Sequence, residues 1–213
     1  MIALLKIYRP YIAITILVIL YAVGILGLQT ASKDWFLAAT PLTLAISSGL
    51  LVLNQRDWNR WTVVSLFTTA IAGFLIEVVG VHTGLIFGDY AYGTTLGWKL
   101  WDVPVVIGFN WLLLVWASGT LVSRLRLPRW GQAMVAATGM TVLDFLIEPV
   151  AMRLDFWQWV GASVPLRNYF GWWLTAFVLL LFFEALPFRK QNSVAGAVLV
   201  LQFAFFGVLN ILY

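Results

Sequence analysis

Apolar residues run along this chain in seven stretches, at 12–28, 36–53, 63–81, 103–123, 132–152, 169–186 and 194–212. Each approaches or falls within the about 17–25 residues a helix needs to cross a bilayer core, and each ends in charged or turn-forming residues. The pattern predicts an all-α polytopic fold of seven transmembrane helices, one integral membrane domain over residues 1–213. The first run follows Lys6 and Arg9 and exceeds the core of a signal peptide, so it reads as an uncleaved anchor. Polar side chains interrupt the runs, above all Glu77, Asn110, Asp144 and Glu148. A carboxylate in hydrocarbon costs about 2.5–3.5 kcal/mol on insertion scales, so it is kept where a partner or a chemical task needs it.

Composition fits the pattern: 62% of residues are hydrophobic, 10% are charged and the mean hydropathy is +0.92, outside the range of soluble domains. Sorted by alternate loops, Lys6, Arg9, Arg56, Arg60, Arg124, Arg126, Arg129, Arg189 and Lys190 fall on one side, and Lys33, Lys99, Arg153 and Arg167 on the other. That bias predicts a cytoplasmic N-terminus, an outer C-terminus and residence in the cell membrane. Because the net charge of +4 is scattered at run ends, it sets topology and points to membrane lipid rather than nucleic acid. Trp35, Trp58, Trp61, Trp98, Trp101, Trp130, Trp157 and Trp159 also lie near run ends and read as interfacial anchors. The absence of cysteine and a single histidine, His82, leave little for a metal centre, and no dinucleotide glycine motif follows a strand; neither metal nor cofactor is expected. Lys6, Lys33, Lys99 and Lys190 lie outside the runs, which excludes a retinal photoreceptor.

Residues 76–92, IEVVGVHTGLIFGDYAY, combine Glu77, His82 and three glycines, Gly80, Gly84 and Gly88, spaced by four. On a helix that spacing lines one side and lets a neighbouring backbone approach. A second segment looks like a copy: FLIEVV at 74–79 matches FLIEPV at 145–150, and GDYAY around Asp89 is echoed by DFWQW around Asp155. Each half then reaches Val-Pro, with a tryptophan seven residues past the proline at Trp111 and Trp172. These matches predict a parallel repeat relating spans 3–4 to spans 5–6, with Glu77 facing Glu148.

Spans 3 and 5 run outward and span 4 inward, so Glu77, Asn110, Asp144 and Glu148 share one depth below the outer boundary. Asp144 and Glu148, spaced i, i+4, share a helix face, and Pro149 frees the carbonyl of Phe145. Two carboxyls this close in a low dielectric do not both ionise cheaply, so one holds its proton and is a candidate general acid. The competing reading is a network with Asn110, Asn168 and Arg167 that only fixes packing. For His82, Tyr90 and Tyr92, interfacial anchoring competes with a site role. Glu184 beside Arg189 reads as a solvated pair, and Gln202 and Asn210 as helix glue.

In order along the chain stand Glu77, Gly80, Thr83-Gly84, Phe87-Gly88, Tyr90 and Tyr92, then Val103-Pro104 and Trp111. Asp144, Glu148-Pro149, Trp157 and Trp159 follow, and Pro165, Asn168, Gly171 and Trp172 close the set. This series, over residues 77–173, resembles the membrane-bound carotenoid hydratases of bacterial and archaeal carotenoid biosynthesis, which act on gamma-carotene-type or bisanhydrobacterioruberin-type substrates. Before Pro165 the family pattern has Tyr-x-Gly where this chain has Gly161-Ala162-Ser163, a departure that bears on substrate identity. The resemblance implies addition of water to the terminal double bond of a linear carotenoid end group, through a tertiary carbocation. It implies Asp144, Glu148 and Glu77 as catalytic candidates, with Tyr90, Tyr92, Asn110, Trp111, Asn168, Trp172, Trp173, His82 and Asp89 around the substrate. A carotenoid cyclase would use the same cation. A transporter or proton-relay channel, from another class, would use the three carboxylates as a relay, although the inner half of the bundle is nearly bare of polar groups.

Overall fold

The computed structural model describes residues 2–213, with side chains from residue 8 onward. Lys6, counted in the charge bias, lies outside the residues with described side chains. Eight helices follow one another: α1 (Ile2–Gly27), α2 (Lys33–Ala38), α3 (Thr40–Leu53), α4 (Arg60–Thr83), α5 (Val106–Val122), α6 (Arg129–Arg153), α7 (Leu166–Ala185) and α8 (Ala195–Leu212). Five of these, in α1, α4, α6, α7 and α8, are long and apolar enough to cross a membrane. The 14 residues of α3 and 17 of α5 are shorter, spanning about 21 and 26 Å at 1.5 Å per residue.

Two predicted runs differ from the helices they became. The second run divides at Ala39, because Pro41 lacks an amide hydrogen and sits in the first turn of α3, where none is needed. The fourth loses its first residues to a strand. Short strands absent from the all-α reading are β1 (Tyr90–Tyr92), β2 (Lys99–Leu100), β3 (Val103–Pro104) and β4 (Trp157–Trp159). β2 and β3 form a hairpin through Trp101 and Asp102, both at positive φ as a tight two-residue turn requires.

Large apolar side chains cover the outside of the bundle, and small and polar residues share its interior with an apolar core. On α4 the buried face is Thr62, Ser65, Thr69, Gly73, Glu77 and Gly80, while Phe67, Ile71, Leu75 and Val79 are exposed. Lipid supplies no hydrophobic force between helices, so small and polar residues pack the interface and large apolar ones face outward. The short α5 runs through the centre, packed against α3, α4, α6, α7 and α8. It is apolar all round, as a helix enclosed on every side should be.

The glycine pattern resolves differently from a helical groove. Only Gly80 is helical; Gly84 caps α4 at φ +62° and Gly88 lies beyond it at φ +109°. Glycine takes these left-handed conformations without a Cβ penalty, so the chain turns back and lays Phe87 and Tyr90 against Gly80. Asn210 does act as glue, donating to the carbonyls of Leu146 at 2.7 Å and Phe206 at 2.8 Å. Glu184 is buried rather than a solvated partner of Arg189. Among the described residues no Lys or Arg lies within 4 Å of a carboxylate, and His82 approaches Asp102 at 3.6 Å.

Candidate active site

Late α4 and late α6 bring their glutamates to one small cavity, lined by both Glu77 and Glu148. Above it, β1 and β4 pair antiparallel, with Tyr90 opposite Trp159 and Tyr92 opposite Trp157. Side chains two apart on a strand share a face. All four rings therefore turn toward the glutamates, while Ala91 and Gln158 between them stay exposed. Tyr90 and Trp159 meet at a tilt of 38° with 5.0 Å between centroids, and Tyr92 meets Trp157 edge-on at 6.0 Å. The two predicted loops thus join into one aromatic lid.

Each glutamate receives three donors. Oε2 of Glu77 accepts from the hydroxyls of Tyr90 at 2.5 Å and Tyr92 at 2.9 Å, and Oε1 accepts from the Trp111 indole at 3.0 Å. Oε2 of Glu148 accepts from the indoles of Trp157 at 3.0 Å and Trp159 at 2.8 Å, and Oε1 from Asn168 at 2.9 Å. Burial, and then the charge of Glu77, push both tyrosine phenols above their ordinary range, so they remain donors. Asp144, one turn deeper on α6, differs: the Asn168 amide donates to Oδ2 at 2.9 Å, while Oδ1 is buried without a partner. Asn168 uses one nitrogen to bridge the two acids.

Trp111 and Trp172 stack at 4.5 Å across the floor. The Trp111 ring is seated by Gly73, where an added Cβ would overlap the first carbons of the side chain. Gly73→Val is therefore expected to dislodge the indole from Glu77 and to destabilise the fold by about 1–3 kcal/mol, the usual range for overpacking, which thermal unfolding in detergent would measure. The cavity itself, about 20 Å³, is large enough for one water, which needs roughly 10–15 Å³. Beyond Ile107, Asn110 and Trp157, which line both, lies an apolar cavity of about 100 Å³ bounded by Leu20, Gly24, Phe205 and Phe206.

The structure thus gathers Glu77, Glu148, Tyr90, Tyr92, Asn110, Trp111, Asn168 and Trp172 at or beside one cavity, with Asp144 buried just behind. Three candidates lie elsewhere. His82 is exposed and its ring lies 3.3 Å from the carbonyl of Trp101, Asp89 is exposed, and Trp173 donates to Thr138 and stacks on Phe177. Arg167 reaches the carbonyl of Gly84 at 3.4 Å rather than an acid. Trp157 and Trp159, read as anchors, are site residues; the signal was their i, i+2 spacing, the same as that of Tyr90 and Tyr92. Among the described residues no cluster of three His, Asp or Glu could hold a metal ion.

Apolar-faced helices enclosing a lidded acidic pocket define a membrane-type helical protein. The chain belongs to the carotenoid biosynthesis protein family, whose sequence model matches residues 11–213. Over 154 residues it is 34% identical to the bisanhydrobacterioruberin hydratase of Haloarcula japonica, a match covering 67% of this chain and 50% of that protein. The chain therefore spans about half the length of that curated relative. No solved structure matches it.

Proposed function

We propose that this protein is a cofactor-independent carotenoid hydratase that adds water to the terminal double bond of a linear carotenoid end group. The observation that carries this reading is a water-sized cavity between two glutamates, roofed by four aromatic rings and sharing Ile107, Asn110 and Trp157 with an apolar cavity beside it. The alkene end enters the apolar cavity past Asn110, whose side chain bonds no other group among the described residues. Glu148, which lines the small cavity, delivers a proton to the less substituted alkene carbon, and a tertiary cation forms on its neighbour. π faces of the lid and of Trp172 stabilise that cation by about 0.5–2 kcal/mol each. Water then bonds to the cationic carbon and loses a proton to Glu77, and the cycle closes when that proton returns through the cavity to the Asp144–Glu148 pair.

Donor counting divides the roles. Glu77 and Glu148 each accept three hydrogen bonds, which favour a carboxylate, whereas Asp144 accepts one and has an oxygen left over. The proton of the pair resides on Asp144 at rest and passes to Glu148 for delivery. Expression in cells that make a linear carotenoid, with pigments read by mass, tests the reaction. A gain of one water is expected; an unchanged mass with a shifted spectrum would make the protein a cyclase, and unchanged pigment would return it to transport or binding.

The same reading gives α3 and α5 as crossing segments, seven in all, with α5 shielded from lipid. It also relates α4–α5 to α6–α7 by a two-fold axis along the membrane normal through the β1–β4 ladder. A C-terminal reporter is expected to be active only outside the cytoplasm; activity in the cytoplasm would contradict the crossing number or the orientation.

A further inference from the structure

At the end of the bundle opposite the carboxylates, the α3–α4, α5–α6 and α7–α8 loops converge on an open cavity of about 710 Å³. Arg56, Arg124, Arg189 and Lys190 line it, with the hydroxyls of Ser123 and Ser193 and one acid, Glu184. The frame is rigid. Gln55 and Asn192 form an antiparallel bridge, the Arg56 amide donates to the Gln191 carbonyl at 3.1 Å, and the Gln55 side chain donates to the Arg189 carbonyl at 2.9 Å. Ser193 accepts from the Arg56 guanidinium at 3.0 Å and so holds it over the cavity.

No guanidinium here has a carboxylate within 4 Å among the described residues. Asp57, the nearest acid in sequence, accepts from the Arg189 backbone amide at 2.7 Å. Lys190 is spent on the end of α7, donating to the Leu186 carbonyl at 2.6 Å. Three arginines thus surround one cavity, Arg56 and Arg189 on the bridged loops and Arg124 on the facing one, with no guanidinium paired to a carboxylate, an arrangement that an anion between them relieves. Guanidinium forks beside hydroxyls suit phosphate oxygens. Exposed Leu53 at the end of α3, with Trp58 and Leu125 in the loops, offer an apolar border of the kind an acyl chain needs. Basic pockets between transmembrane helices on the cytoplasmic side are where anionic headgroups bind. We propose that this cavity seats the phosphate diester of an anionic phospholipid at the inner face of the membrane.

The test uses the full chain purified in detergent, titrated with phosphatidylglycerol, phosphatidylcholine or inorganic phosphate, with bound lipid read by native mass spectrometry and stability by thermal unfolding. Phosphatidylglycerol is expected to raise the unfolding temperature and to remain bound, while phosphatidylcholine does neither. In the double variant R56Q/R189Q, retention should fall about 25-fold, about fivefold per charge, with the lipid-free unfolding temperature unchanged or higher because repulsion is relieved. R124Q, outside the bridged loops, should fall about fivefold and serves if the double variant fails to insert. An equal loss of stability with and without lipid would make the arginines structural and overturn the proposal. Inorganic phosphate reproducing the whole effect would overturn the lipid assignment. Carotenoid hydration is not read in this experiment, so its outcome is separate from that of the proposed reaction.

Discussion

Asp144→Asn is expected to lower hydration turnover by about 10²–10⁴-fold, the range for loss of a general acid, while the protein still inserts and folds. The substitution keeps the shape and the bond to Asn168. Oδ2 accepts from Asn168 and an asparagine oxygen does so equally well, while Oδ1 has no partner, so the amide nitrogen that replaces it breaks no existing bond but is left without an acceptor, at a cost of about 1–3 kcal/mol. What disappears is the proton that Asp144 shares with Glu148 one turn away. Glu148 is then left accepting three donors with no partner to draw a proton from. Turnover at the wild-type rate would make the buried pair a packing device and remove the acid from the mechanism.

Much of this site is legible in the sequence, because spacing alone carries depth and face. The i, i+4 pair on α6 and the shared level of Glu77 and Asn110 follow from helix geometry, and the two tyrosines from their place after Glu77. What was not legible lies in the loops. Hydropathy treats Trp157 and Trp159 as boundary residues, and nothing local to them says that β4 folds back to pair with β1. Gly84 and Gly88 kept a helical period beyond the end of the helix, since period alone does not distinguish a glycine that lines a groove from one that ends it. Gly73 carried no motif, its role being set by Trp111 on another helix. His82, Asp89 and Trp173 have suitable side chains in the right segments, but they point to the hairpin, the surface and the Thr138 side of α6. Sequence proximity pairs Glu184 with Arg189, whereas the fold buries Glu184 and turns the Arg189 amide toward Asp57.

Glu77→Gln and Glu148→Gln look equivalent in sequence and are expected to behave differently. At Glu77 the two donors on Oε2 are tyrosine hydroxyls, which rotate and accept from an amide, so glutamine can keep its oxygen toward the Trp111 indole and its nitrogen toward Tyr90 and Tyr92. Stability should hold while turnover falls about 10²–10⁴-fold, because an amide does not take the proton from the attacking water. At Glu148 the two donors on Oε2 are indoles, which have no acceptor, and Oε1 faces the Asn168 amide nitrogen. A glutamine nitrogen there opposes either two N–H groups or one, and Asn168 can flip to meet it only by withdrawing its donor from Asp144. Each unsatisfied buried group costs about 1–3 kcal/mol, so Glu148→Gln should lower the unfolding temperature by several degrees and loosen the lid as well as abolish turnover. Thermal unfolding of both variants in the same detergent separates the cases. Equal stability of the two would mean that the tryptophan lid is not anchored on Glu148, and the assignment of that residue as the delivering acid would lose its geometric basis.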